Sequence, residues 1–129
     1  MISIVDDDAL ARDGIRELIE ALGYKTVTFK SAEDFLRSGI VANISCLITD
    51  LQMPGLNGLE LQEAIQSRGY CTPVILITAY PNEQYRKRAL DNGAVGFLNK
   101  PFHEGSLIQC LTTALDAQRA NTKRRSLRN

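Results

Sequence analysis

Short apolar runs alternate with longer segments in which apolar residues recur every three to four positions. Ile2–Val5, Tyr24–Phe29, Ile44–Thr49, Pro73–Thr78 and Ala94–Asn99 are the short runs, and their length and composition predict five strands. Ala9–Leu22 sets Ala11, Ile15, Leu18 and Leu22 on one helical face, and Gly23 stops that helix. Ser31 opens a short second helix, with Asp34 three residues on as in a capping box. The loop Pro54–Gly58 leads into a third helix reaching about Arg68, with Leu61, Ala64 and Ile65 inward. Pro81-Asn82 starts a weakly amphipathic fourth helix that ends near Asn92-Gly93. The fifth runs from His103 to about Gln118 on a stripe of Leu107, Leu111, Ala114 and Leu115.

Strands alternating with helices predict an α/β domain with a parallel sheet covered on both faces. Strands one, three and four read as continuous apolar runs, as central parallel strands do, while the second alternates with polar residues like an edge strand. The pattern fits a flavodoxin-like, doubly wound sheet of five parallel strands in order 2-1-3-4-5 with five helices. Ligands of such sheets bind outside the carboxyl ends of the strands, where strand order reverses.

Composition narrows the class. With 129 residues, 44% hydrophobic and 23% charged, the chain suits one soluble globular domain and not a disordered segment. No apolar stretch approaches the roughly 20 residues of a membrane span, and Met1–Val5 followed by aspartates is no secretory signal. A cytoplasmic location away from membranes is therefore expected. Cys46, Cys71 and Cys110 are scattered and His103 is the sole histidine, so a zinc site is not expected and reduced thiols are. The zero formal net charge hides an asymmetry. Residues 119–129 carry five basic side chains and no acid, leaving residues 1–118 with ten basic against fifteen acidic residues. Residues 1–118 are thus expected to form the domain, and 119–129 a basic tail or linker, solvated more readily than bound to nucleic acid.

The strand ends carry the chemistry. Strand one runs into Asp6-Asp7-Asp8, strand three into Asp50, strand four into Thr78-Ala79 and strand five into Lys100-Pro101. Asp6, Asp7 and Asp50 crowd like charges into one crevice, which a divalent cation relieves. Oxygen ligands alone select a hard ion, Mg2+ with Mn2+ as substitute. Three carboxylates, Mg2+ and Lys100 sum to a neutral resting site. A carboxylate can act as a nucleophile toward phosphorus, and Asp50, on the middle strand, is the expected phosphoacceptor. Lys100 and the Thr78 hydroxyl are the donors available to the added charge. Asp8 is expected to cap the first helix, and His103 to be an early residue of the last.

Two other functions are weaker. A phosphohydrolase with a nucleophilic aspartate commonly has a second acid two residues on, where Gln52 stands and cannot transfer protons. A flavin-type module would need a phosphate-cradling loop after strand one, where three aspartates repel phosphate.

The runs Ile4-Val5-Asp6-Asp7-Asp8, Thr49-Asp50-Leu51-Gln52-Met53-Pro54-Gly55, Thr78-Ala79 and Asn99-Lys100-Pro101-Phe102 resemble the receiver domains of two-component response regulators over residues 2 to about 118. The resemblance implies that Asp50 receives its phosphoryl group from a sensor histidine kinase or a histidine phosphotransfer protein. It implies direct Mg2+ ligation by Asp7 and Asp50, ligation by Asp6 through water, and by Gln52 through its backbone carbonyl. Thr78 and Lys100 would contact the phosphoryl oxygens, and Phe97 would be an aromatic switch. Lys100–Pro101 would be a cis peptide. The domain would be a phosphoacceptor that catalyses its own phosphorylation and slow dephosphorylation. Thr78 stands just before residues 82–118, and Phe97 and Lys100 lie within them, so this stretch is the expected output face, through which a phosphorylation-dependent homodimer is expected to form. Thr78-Ala79-Tyr80 and Gly93–Phe97 look closest to receivers preceding a helix-turn-helix domain. The output would be transcription, with no nucleic acid bound by this domain itself.

Overall fold

Apolar residues on both parities of the central strands force helices onto both faces of the sheet. The structure is a computed structural model that describes the backbone of residues 1–128 and the side chains of residues 1–118. Its elements are β1 (Ile2–Val5), α1 (Ala9–Ala21), β2 (Thr26–Phe29), α2 (Ala32–Ser38), a short 3-10 turn over Ile40–Asn43, β3 (Cys46–Asp50), α3 (Gly58–Ser67), β4 (Val74–Thr78), α4 (Glu83–Asp91), β5 (Gly96–Asn99) and α5 (Glu104–Arg128). All strand pairings are parallel, and the order is β2-β1-β3-β4-β5, as the pattern predicts.

Alternation within each strand divides the core. Val5, Leu47 and Leu76 face α2, α3 and α4, where Phe35, Leu61, Ile65 and Ala89 meet them. Ile4, Ile48 and Ile77 face α1 and α5, against Ile15, Ile19, Leu107 and Leu111. A one-residue slip of register would exchange these two sets.

Several boundaries differ from expectation. The buried line of α1 is Ile15 and Ile19, with Leu18 at its margin. Leu22, expected inward, is the helix cap and is 39% exposed, because Gly23 at φ +95° turns the chain away. Ser31 accepts the Asp34 N–H, but the Asp34 carboxylate pairs with Arg37 instead of closing a capping box. The full box forms at α3, where Asn57 and Glu60 bond reciprocally. The last helix begins after His103 and its backbone continues past Gln118 to Arg128. The basic side chains expected as a tail over 119–129 lie outside the described residues.

Cys46 is fully buried, Cys110 half-buried and Cys71 exposed, and all three are free. Burial pushes the Cys46 thiol up to about 12, which keeps it protonated and unreactive. In the folded protein Cys71 is expected to react first with a thiol reagent such as Ellman's reagent, Cys110 more slowly, and Cys46 only on unfolding. Equal rates at Cys46 and Cys71 would contradict the packing of β3.

Candidate functional site

Parallel strands deliver their carboxyl ends to one edge, and register decides which residues meet there. Val5 lies beside Thr49, Asp50 beside Ile77, and Thr78 beside Asn99. Asp6, one step beyond β1, therefore stands next to Asp50 at the end of β3. Each of Asp6, Asp7 and Asp50 contributes a carboxylate oxygen, and these atoms lie within 4.8 Å of one another. Asp6 is 1% and Asp50 8% exposed, while Asp7 opens to solvent.

Lys100 reaches over from the end of β5. Its Nζ is 2.8 Å from Asp6 Oδ2 and 3.6 Å from Asp50 Oδ1. The Lys100 amide donates to the Thr78 carbonyl at 2.7 Å, and the Lys100–Pro101 peptide is cis. Both oxygens of Asp6 are engaged, since Oδ1 accepts the Asp8 N–H at 3.0 Å and Oδ2 the lysine. Asp8 turns its own carboxylate to the Leu10 amide and caps α1. Of the three crowded acids, Asp7 and Asp50 are left with the freer oxygens.

Electrostatics mark Asp50 as the strained member. Burial, then the Asp6 charge, push its carboxyl up to about 6, with Lys100 opposing and Asp7 adding to the rise. Burial alone would pull the Lys100 ammonium down; the Asp6 hydrogen bond and the Asp50 and Asp6 charges outweigh it and leave the ammonium raised. Three carboxylates held this close and faced by a single ammonium are the setting in which a divalent cation is bound by oxygen ligands.

The other expected residues are placed less directly. Thr78 is fully buried at the same edge, but its hydroxyl accepts the Tyr80 N–H at 3.0 Å and so is turned into its own loop. Gln52 follows β3 with an exposed side chain. Phe97 lies beside Leu76 in the sheet and packs, half-buried, against the core under α4. His103 is exposed, and its carbonyl accepts from Ser106 in the first turn of α5.

Two contributors were not foreseen. The Arg12 guanidinium donates to the Asp6 carbonyl at 2.8 Å, tying α1 to the acidic turn. Gln62, inside the apolar stripe of α3, is 1% exposed and donates to the Ala89 carbonyl of α4. Gln66 does the same to Asn92, and Arg88 pairs with Glu63. The carboxyl end of α4 is thus fastened to α3. Helix α4 carries a basic run, Arg86-Lys87-Arg88, of which Arg88, and Arg86 with Glu83, are already paired within the chain.

Comparison with known proteins agrees with this arrangement. Residues 2–112 match the family model for the response regulator receiver domain. The chain is 35% identical to the transcriptional regulatory protein TdiR of Thauera aromatica over 118 residues, covering 92% of this chain and 52% of that protein. It is 32% identical to the transcriptional regulatory protein FixJ of Azorhizobium caulinodans over 114 residues, covering 88% of this chain and 54% of the relative. The chain thus spans about half the length of these relatives. The structure of the response regulator StyR superposes with a TM-score of 0.91 at 33% identity, covering 98% of this chain and 64% of that one. That of FixJ-N gives 0.80 at 29% identity, covering 89% and 92%. The sheet order, the acids at its carboxyl edge and the match over nearly the whole chain lead to one conclusion: this chain belongs to the receiver domains of two-component response regulators.

Proposed function

We propose that Asp50 is the phosphoacceptor of this receiver, taking a phosphoryl group from the phosphohistidine of a sensor histidine kinase or phosphotransfer protein. The observation that carries the reading is a nearly buried carboxylate at a strand end, crowded by Asp6 and Asp7 and faced by the Lys100 ammonium. An Asp50 oxygen attacks phosphorus, and the bond to the donor nitrogen breaks on the opposite side. Positioning and charge neutralisation supply most of the acceleration in such transfers. The donor set fits Mg2+, with Mn2+ as substitute: three carboxylates within reach of one another and no sulfur or imidazole among them. Asp7 and Asp50 would hold the ion directly, Gln52 through its backbone carbonyl and Asp6, engaged on both oxygens, through water. The ion would supply positive charge to the phosphoryl oxygens. Lys100, already between Asp6 and Asp50, would take up part of the new negative charge, and slow hydrolysis in the same site would reset the domain.

With acetyl phosphate and Mg2+, one acid-stable, base-labile phosphoryl group is expected by intact mass, and none in EDTA. Mg2+ alone should raise the melting temperature, because a ligand bound only by the folded state stabilises it, and Asp7→Ala should erase the rise. Phosphorylation that is equally fast in EDTA would remove the metal from the account.

Readout is proposed to run through Thr78 and Phe97 to residues 82–118. Once Thr78 releases the Tyr80 amide and turns toward the phosphoryl oxygens, the Phe97 ring can move into the space left. The phosphoryl group biases this equilibrium only through contacts that differ between its two states. The fastening of α4 at its carboxyl end favours movement at its amino end, near Asn82. A homodimer through this face, if it uses the basic run, exchanges the Arg86 and Arg88 pairs for partner acids and is weakened by salt. Amide hydrogen exchange with and without phosphorylation checks the route, with changes expected within 82–118. Changes confined to α1 would contradict it. The names of the relatives support transcription as the output of a longer protein; we place that protein in the cytoplasm and give this domain no direct role in binding nucleic acid.

A further inference from the structure

We propose that Glu33, on α2 and outside the acidic cluster, is a positioning residue for the metal: it straps the loop between β3 and α3 and so sets where the Gln52 carbonyl stands. The inference rests on the Mg2+ assignment above and adds a residue to it.

The loop is fastened at two places. At its base the Gly58 N–H donates to the Leu51 carbonyl at 3.0 Å, and the Leu51 N–H to Ile77 at 2.9 Å. The base is packed tightly behind the acceptor, since a Cβ on Gly58 would stand 2.6 Å from the Asp50 carbonyl oxygen. At its tip the Leu56 N–H donates to Glu33 Oε1 at 3.2 Å. Gly55, at φ +76°, makes room for the same carboxylate, because a Cβ there would lie 3.0 Å from Glu33 Oε1 and closer still to Oε2. Two consecutive residues of the tip are therefore shaped around one carboxylate.

That carboxylate has no competing charged partner: none of the ion pairs among the described residues involves Glu33. It sits in the first turn of α2, where the helix end favours negative charge. The rotation of α2 is fixed by buried Ala32 and Phe35, so the strap starts from a rigid element. Gln52 lies between base and tip with its side chain in solvent. Met53 and Leu56 rest on the core and keep the loop near the sheet, while the hydrogen bond holds the Leu56 peptide at its tip. Second-layer contacts of this kind typically change metal affinity about 10- to 100-fold when removed. The lower end applies here, because the core contacts remain.

The test is a Mg2+ titration followed by amide NMR shifts, with amide hydrogen exchange measured on the metal-free protein. Wild type is run first. Glu33→Ala is expected to weaken Mg2+ binding about tenfold and to speed exchange at Leu56, leaving β3 and β4 protected. Glu33→Gln keeps an oxygen that accepts the Leu56 N–H and is expected to bind within about twofold of wild type. Gly55→Ala, which displaces the carboxylate, should weaken binding as Glu33→Ala does. Wild-type affinity in Glu33→Ala overturns the proposal even if Leu56 exchange quickens. Equal losses in Glu33→Ala and Glu33→Gln also overturn it, because charge at a distance would then be the cause. Absence of Mg2+ binding by wild type itself overturns the metal assignment, and this proposal with it, at a step that separates the two failures.

Discussion

Asp50→Asn is expected to raise the melting temperature of the metal-free protein by about 3–8 °C near neutral pH, while abolishing phosphorylation. Asp50 is held at about 6 against an ordinary 3.8, so the folded state keeps a proton that the unfolded chain has already lost. A raised acid therefore costs stability as pH climbs from about 4 to about 6, and the cost is complete above that. Each pKa unit corresponds to about 1.4 kcal/mol; relaxation of the site reduces the expected gain to about 1–2 kcal/mol, which gives the quoted shift for a domain of this size. Asparagine has the same shape without the charge. The difference in melting temperature between variant and wild type should be small near pH 4, grow through pH 6 and then level off. Saturating Mg2+ should reverse the order, because wild type gains a ligand the variant has weakened. A variant less stable than wild type in EDTA at neutral pH would contradict the crowding of Asp6, Asp7 and Asp50.

Lys100→Ala is expected to do the opposite. The ammonium is the cation nearest both Asp6 and Asp50, and its removal leaves buried carboxylates uncompensated. With the lysine side chain 21% exposed, water takes over part of its role, and the expected cost is about 1–3 kcal/mol in EDTA. Mg2+ should restore most of that. The folded-state pKa of Lys100 is raised above 10.5, so the stability it contributes is fully present below that pH and lost as pH rises beyond it. The gap between wild type and variant should therefore be wide at neutral pH and close in strong alkali. Phosphorylation should be slowed, since the new charge loses a donor. If Lys100→Ala melts with wild type in EDTA, the pair is only a surface contact.

Much of the site's placement is legible in the sequence. Asp6, Asp50, Thr78 and Lys100 follow apolar runs, and parallel strands must present their ends together. Their use was less readable. Lys100 sits closer to Asp6 than to Asp50, and the Thr78 hydroxyl is engaged by Tyr80; both depend on loop paths that periodicity does not encode. Gln62 interrupts the stripe of α3 because its partner is a backbone carbonyl 27 positions away. Nothing in its local sequence marks Glu33, whose target lies 23 residues downstream. Leu22 was misplaced because periodicity extends a face through the cap, where the chain has already turned. Local pattern found what each segment would be, and long-range polar contacts were what it lacked.

The most direct test of phosphoryl transfer to Asp50 is to trap the product. Protein phosphorylated with acetyl phosphate and Mg2+ is reduced with borohydride, which converts an aspartyl phosphate to homoserine, and the digest is sequenced by mass spectrometry. Homoserine at position 50 and at no other aspartate is the predicted result. Homoserine at Asp7 or Asp8, or a phosphoryl group that survives base and resists reduction, would contradict it.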